Sequence, residues 1–235
     1  MKIHRFIGKF NLSGDKINIS DKDLIHQWKN VLKFKVGEII ILSNEDKGEA
    51  LCQIISLSKS GAELKIAESY KNTNEPECEV TLYVSILKRE NFELVIQKAT
   101  EIGIKKIVPM ICAHTVKTGL KMERLEKIAR EASELSGRST IPKISEPMKF
   151  EKAISDSFSS RSKFLFDISG APLRPSATSP LKGEGISIFV GPEGGFTEEE
   201  INLAKSSNFS ISSLGTLTFR AETAAIVASY LAVNI

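Results

Sequence analysis

ISIFVGPEGGFTEEE, residues 186–200, decides how the rest of the chain is read. ISIFV (186–190) is a short apolar run of the kind that forms a buried strand. It passes directly into Gly191-Pro192-Glu193-Gly194-Gly195, after which Thr197 and Glu200 supply the T-x-x-E pattern of a capped helix. Adjacent glycines let the backbone bend sharply and let a ligand approach the main chain with no Cβ in the way, while Pro192 stiffens the loop. The helix start behind them offers free N–H groups. A loop of this kind, at the carboxyl end of a sheet strand, is where ligands bind in open α/β folds. The same pattern also describes a tight strand-to-helix turn that binds nothing.

Outward from this segment the chain keeps one rhythm. Downstream, LGTLTFRAETAA (214–225) places Arg220 and Glu222 at the entry of an otherwise apolar helix, AETAAIVASYLAV, expected to be buried nearly all round. The charged pair reads either as an ion pair that caps the helix or as groups facing a polar ligand. Upstream, CEVTLYVSIL (78–87), KKIVPMI (105–111) and FLFDI (164–168) read as further strands. Between them lie helical spacings: Phe92, Val95, Ala99 and Ile102 stopped by Gly103, and Met122, Leu125, Ala129, Ala132 and Leu135 stopped by Gly137. Alternating strands and helices predict an α/β fold with a mostly parallel sheet covered on both faces. Residues 170–185, rich in Pro, Ser and Gly, read as an exposed loop.

KNTNEPE (71–77) has no large apolar residue and reads as a linker. Before it the rhythm is different. KIHRFI (2–7), KINI (16–19), EIIIL (38–42), ALCQIISL (50–57) and AELKIA (62–67) are short β-type runs with glycine-bearing turns, which suggests a small β-barrel. Ser20 is placed to cap a short helix carrying Leu24, Trp28, Val31 and Leu32.

The chain has 235 residues, 41% apolar and 26% charged, which is ordinary globular usage and excludes global disorder and collagen-like repeats. No run reaches the roughly 18 apolar residues of a spanning helix. MKIHRFIGKF has no apolar core behind its charges, against a cleaved signal peptide. Three scattered cysteines and three scattered histidines give neither a disulfide framework nor zinc spacing, so a cytoplasmic, metal-free protein is expected. The Walker, GxGxxG and GxSxG sequences are all missing. The net charge of +3 is small but segregated: residues 98–130 hold eight Lys or Arg against three Glu, while 183–200 hold five acids and no base. That distribution reads either as solvated helix surface or as a basic face for a polyanion.

Taken together, GPEGGFTEEE and LGTLTFRAETAA resemble the RsmE family of 16S ribosomal RNA uridine-N3 methyltransferases of the SPOUT superfamily. The resemblance runs the length of the chain. HRFIGKF (4–10) and HQWKNVLKFKVGEIIIL (26–42) resemble the family's small PUA-like RNA-binding barrel, and LKRENFELVIQKATEIGIKKIVP (87–109) and REASELSGRSTIPKI (130–144) resemble two further blocks. It implies a PUA-like β-barrel over 1–71, a linker over 72–77, and over 78–235 a knotted parallel-sheet SPOUT methyltransferase domain. It also implies S-adenosyl-L-methionine as methyl donor, 16S rRNA of the small ribosomal subunit as partner, and a homodimer.

By resemblance, the cofactor pocket takes Leu165, Phe166, Gly191, Glu193, Gly194, Gly195, Leu214, Gly215, Leu217 and Arg220. Arg220, Glu222 and Glu193 are the catalytic candidates, because attack by a protonated uracil N3 needs a base or a group that stabilises the uracil anion. Arg5, His26, Lys33, Lys88, Arg89, Lys98 and Arg138, in matching blocks, are candidates for RNA phosphates, with the stretch 105–130; a lone His26 beside Trp28 also reads as a packed core residue. Three departures from the family pattern stand out. Leu217 and Thr218 replace a first arginine and an isoleucine, Glu134-Leu135-Ser136 replaces an EQS-like turn, and Ala113-His114-Thr115 replaces a frequent Arg-Ser pair. Two rival readings are ribose 2′-O methylation of rRNA or tRNA by another SPOUT enzyme, and a non-catalytic RNA-binding protein.

Overall fold

A computed structural model describes residues 3–44, 48–116, 118–172 and 185–234 of the chain. Most of the expected 170–185 loop, and Lys117 of the basic stretch, lie outside the described residues. The chain divides into two units, Met1–Glu75 with Ser133–Ile141, and Pro76–Ala132 with Pro142–Ile235.

The first unit contains β1 (His4–Ile7), β2 (Lys16–Ile19), α1 (Lys22–His26), β3 (Ile39–Ser43), β4 (Gly48–Leu57) and β5 (Ala62–Lys71). They form one sheet in the order β1-β3-β4-β5-β2, parallel between β1 and β3 and antiparallel elsewhere. Alternation along the strands turns Ile40, Leu42, Cys52, Ile54 and Leu64 inward onto Phe6 and Trp28. Asp21 caps α1, one residue later than expected: its carboxylate accepts from the N–H groups of Asp23 and Leu24 at 2.9 and 3.0 Å. A π-helical turn, Gln27–Val31, continues α1 and brings Trp28 to full burial, while His26 stays exposed instead of packing in the core.

Residues 133–141 complete this unit through polar contacts. Asn72 donates to Glu49 Oε1 at 2.7 Å and to the Gly137 carbonyl at 3.0 Å. Arg138 pairs with Glu75 at 3.1 Å, with both side chains about nine-tenths or more buried, and Glu75 Oε1 accepts the Ser139 and Thr140 N–H groups. Thus polar residues of the 71–77 run anchor buried hydrogen bonds.

The second unit contains β6 (Glu79–Ser85), α2 (Arg89–Ile102), β7 (Lys106–Ile111), all but the last turn of α3 (Met122–Ser136), β8 (Lys143–Ile144), β9 (Met148–Lys149) and α4 (Phe150–Asp156). It continues with β10 (Ser162–Pro172), β11 (Gly185–Val190), α5 (Glu198–Ser206), β12 (Ser210–Ser213) and α6 (Ala221–Val233). The sheet order is β12-β10-β11-β6-β7-β8, with β9 also on β7, and every pairing is parallel. The near-continuous burial of β6, β7 and β11 is what a sheet covered on both faces demands. Gly103 ends α2 at φ +111°, in the left-handed region that favours glycine.

Helix α6 departs from the expectation of burial all round. Ala225, Ala228, Ser229 and Ala232 are buried, and the helix packs on α2, β6 and β11. Tyr230 is exposed and Ile226, Val227 and Leu231 are only half-buried. Small residues at helical spacing allow close packing on one side, so the larger apolar side chains turn away from the unit's core.

Strand β10 pairs with β12 twice, with a register shift between Phe166 and Ala171 that pushes Asp167–Gly170 outward. Where the chain returns, a Cβ on Gly170 would lie 2.5–2.7 Å from backbone atoms of Ser212. Gly170→Ala therefore forces two strands apart, and we expect a loss of about 1–3 kcal/mol in chemical denaturation. Unchanged stability would show that β12 yields freely.

Candidate active site

The carboxyl ends of β10, β11 and β12 open onto one cavity of about 1040 Å³. Parallel strands place their following loops on the same edge, so segments distant in sequence meet there. From β10 come Phe166 and the outward excursion Asp167, Ile168 and Ser169; from β11, Gly191 to Phe196; from β12, Leu214, Gly215 and Leu217 to Glu222. Lys88, ahead of α2, and Asn202 and Lys205 of α5 complete the rim.

The glycine loop is a built turn. The Gly195 N–H donates to the Pro192 carbonyl at 2.9 Å, and Gly195 has φ +72° with open space where a Cβ would stand. A Cβ on Gly191 would press on the Phe196 ring at 3.0 Å. The capping box forms as expected: Thr197 N–H donates to Glu200 Oε2 at 2.9 Å and Glu200 N–H to Thr197 Oγ1 at 3.3 Å. The other oxygen of Glu200 accepts the Ala113 N–H at 2.9 Å, so this buried carboxylate joins α5 to the turn after β7. Across the cavity Gly215 has φ +131° and is likewise open.

Arg220 and Glu222 do not form the capping ion pair. Arg220 occupies the N-cap of α6 with no side-chain capping bond, and it is exposed and makes no salt bridge among the described residues. Glu222 is 9% exposed, and its Oε2 has no hydrogen-bond partner among the described residues. A buried acceptor without a donor is costly, and in a cavity wall it is a place for a ligand donor. Glu193 stands exposed on the loop.

Nine of the ten cofactor candidates line this cavity; Leu165 does not. Leu165 is fully buried against Tyr83, Phe189 and Phe209, because successive side chains of a strand face opposite ways. The lining also includes residues that sequence reasoning missed: Asp167, Ile168, Ser169, Asn202 and Lys205. Gly170 was the one sequence signal for the β10 excursion.

The basic candidates divide sharply. Arg5 is committed to buried Glu49 at 2.9 Å, and Arg138 to Glu75, so both hold the first unit together instead of offering charge to a phosphate. Arg89 pairs with Glu93 and Lys98 with Glu101, both at 2.9 Å. Within 105–130, Lys106 pairs with Asp156 and Arg124 with Glu93, at 2.8 and 2.6 Å. The Arg124 and Arg89 guanidiniums hold the Glu93 carboxyl down at about 2. His26, Lys33 and Lys88 are exposed, and Lys88 reaches the cavity. Burial pushes the Cys52 and Cys112 thiols up to about 11 and 12, so neither is a thiolate nucleophile at neutral pH. Among the described residues no cluster of three or more metal-ligating side chains exists, and no helix is long and apolar enough to cross a membrane.

An all-parallel sheet with a glycine-lined cavity at its carboxyl edge, in a chain whose first unit holds a separate and mainly antiparallel sheet, defines a class, and comparison with known proteins gives it a name. The model of an RNA methyltransferase domain matches residues 74–233, and that of an RNA methyltransferase PUA domain matches 29–67. Ribosomal RNA small subunit methyltransferase E of Rickettsia conorii is 34% identical over 236 aligned positions, covering 97% of this chain and 94% of its own. The Bacillus subtilis protein of the same name is 28% identical, covering 93% and 87%. The crystal structure of the Neisseria gonorrhoeae enzyme of that name, bound to S-adenosyl methionine, superimposes with a TM-score of 0.88 at 27% identity, covering 98% and 96%. The chain belongs to the RsmE family of RNA methyltransferases.

Proposed function

We propose that this protein transfers the methyl group of S-adenosyl-L-methionine to N3 of a specific uridine in 16S rRNA of the small ribosomal subunit, in the cytoplasm. The observation that carries the reading is the cavity itself: three loops converge at one sheet edge, with a buried carboxylate oxygen that lacks a donor among the described residues. The relatives named above support the rRNA substrate, and the cofactor bound in the Neisseria structure supports the methyl donor.

The residues present fit that cofactor. The cavity is of the size of small-molecule sites, about 300–1,000 Å³. Gly195 and Gly215 leave main chain open to a ligand, and Phe166 and Leu217 offer apolar surface. When bound, S-adenosyl-L-methionine supplies an electrophilic methyl on a sulfonium. The loops of β10, β11 and β12 would hold it, with Phe166, Gly191, Glu193, Gly194, Gly195, Leu214, Gly215 and Leu217 as its contacts.

The chain's own work is then positioning and charge control. Holding nucleophile, methyl and sulfur in line supplies much of the rate. N3 of uracil carries a proton and lies between two carbonyls, so its loss places negative charge on oxygen. Arg220, with no competing salt bridge among the described residues, is assigned to that oxygen. Glu222 is assigned to accept or hold the N3 proton, with Glu193 as the outer carboxylate. His26, Lys33 and Lys88 remain as phosphate contacts, and the outward apolar face of α6 is assigned to a homodimer.

The test is methylation of small subunits lacking the modification, followed by nucleoside mass spectrometry. We expect one N3-methyluridine in 16S rRNA. A 2′-O-methyl nucleoside would replace this reaction with the ribose reaction, and no methyl transfer with no heat on S-adenosyl-L-methionine titration would sink the enzyme reading altogether.

A further inference from the structure

The turn after β7 contacts the glycine loop without entering the cavity. His114 Nδ1 lies 3.1 Å from the Gly195 carbonyl oxygen. That oxygen can only accept, so in this bond Nδ1 carries the proton. The same side chain presses on the loop a second way: a Cβ built on Gly194 would stand 3.0 Å from His114 Cβ and 3.2 Å from Cγ. His114 is exposed and does not line the cavity.

His114 is itself held by a braced platform. The Cys112 N–H donates to Thr115 Oγ1 at 2.8 Å, and the Thr115 N–H to the Cys112 carbonyl at 3.0 Å. Thr115 Oγ1 also lies 2.9 Å from Ser85 Oγ at the end of β6. Between them, the Ala113 N–H reaches Glu200, the partner of Thr197 in the capping box of α5. The turn is thus tied to two neighbouring elements. A side chain projecting from it has a fixed origin.

We propose that His114 is a positioning residue that clamps the glycine loop from outside, so that Glu193, Gly194 and Gly195 face the cavity in one conformation. The proposal rests on the cofactor reading of that cavity. Gly195 sits at φ +72°, one of the many backbone conformations open to glycine, and a bond to its carbonyl favours this one. A preorganised loop binds without first giving up conformational freedom, so losing the clamp weakens cofactor binding more than it slows transfer once bound.

Asparagine and glutamine separate this role from simple packing. Asn places its amide nitrogen where His places Nδ1, whereas Gln carries its nitrogen one bond further out. We expect His114→Ala and His114→Gln to weaken calorimetric binding of S-adenosyl-L-methionine by up to about tenfold, the weight of one neutral hydrogen bond, with His114→Asn within about threefold of wild type. The KM for the cofactor should rise with kcat changing less, and melting temperatures should stay level because the side chain is exposed. Hydrogen exchange of the 191–196 amides without cofactor should quicken in the Ala and Gln variants only. Equal binding in all variants, equal loss in Asn and Gln, or affinity loss that tracks melting temperature would overturn the clamp. Absence of any heat with wild-type protein would instead sink the cofactor reading, and the exchange measurement would then decide the clamp alone.

Discussion

Arg138→Ala should destabilise the first unit by about 3–5 kcal/mol, the range for breaking one side of a buried ion pair. Both partners of this pair are almost wholly buried, and Glu75 also accepts two backbone N–H groups from residues 139 and 140. Removing Arg138 leaves a carboxylate in a site built to be neutral overall. Burial by itself pushes the Glu75 carboxyl up, but the Arg138 charge and the hydrogen bonds from Arg138 and Thr140 outweigh it, and the group is held below its ordinary 4.5. A depressed folded value means the stabilisation is present above the unfolded value and is lost as pH falls through the folded one. Urea denaturation of wild type and Glu75→Gln should therefore differ at pH 7 and converge in acid. An Arg138→Ala protein as stable as wild type would show that the pair is dispensable.

Arg220→Ala should lower methyl transfer by about two to three orders of magnitude, the cost of losing a donor aimed at developing negative charge. Its melting temperature should stay close to wild type, because the side chain is exposed and makes no salt bridge or capping bond among the described residues. Glu222→Gln should move the two readouts in opposite directions. Activity falls, while stability holds or rises, since the change removes a charge from a buried oxygen that has no donor among the described residues. A large stability loss in either variant would instead mark a structural role and return the pair to the helix terminus.

How much of this was legible in the sequence depended on whether a feature is local. The run from strand β11 through the glycine loop to the Thr197–Glu200 box is contiguous, and every part of it formed as read. The stop at Gly103 was equally local. Strand β12 was invisible because SISS has one apolar residue and takes its place only by pairing with β10. Face assignment failed at Leu165, where a one-residue step along β10 separates cavity from core. The basic residues misled for a related reason. Arg5 and Arg138 look like free charge until the acids that neutralise them, 44 and 63 positions away, are brought alongside.

The first unit draws residues 133–141 from beyond a long stretch of the second. Such a unit cannot finish folding as a ribosome-bound nascent chain when residue 75 emerges. Glu49, Asn72 and Glu75 must wait for the carbonyl of Gly137, the guanidinium of Arg138 and the amides that follow. Excision at residue 75 would cut through the unit, and so would a fusion junction placed there. For a protein proposed to act on ribosomal RNA, the order in which its own chain leaves a ribosome sets when its first unit becomes complete.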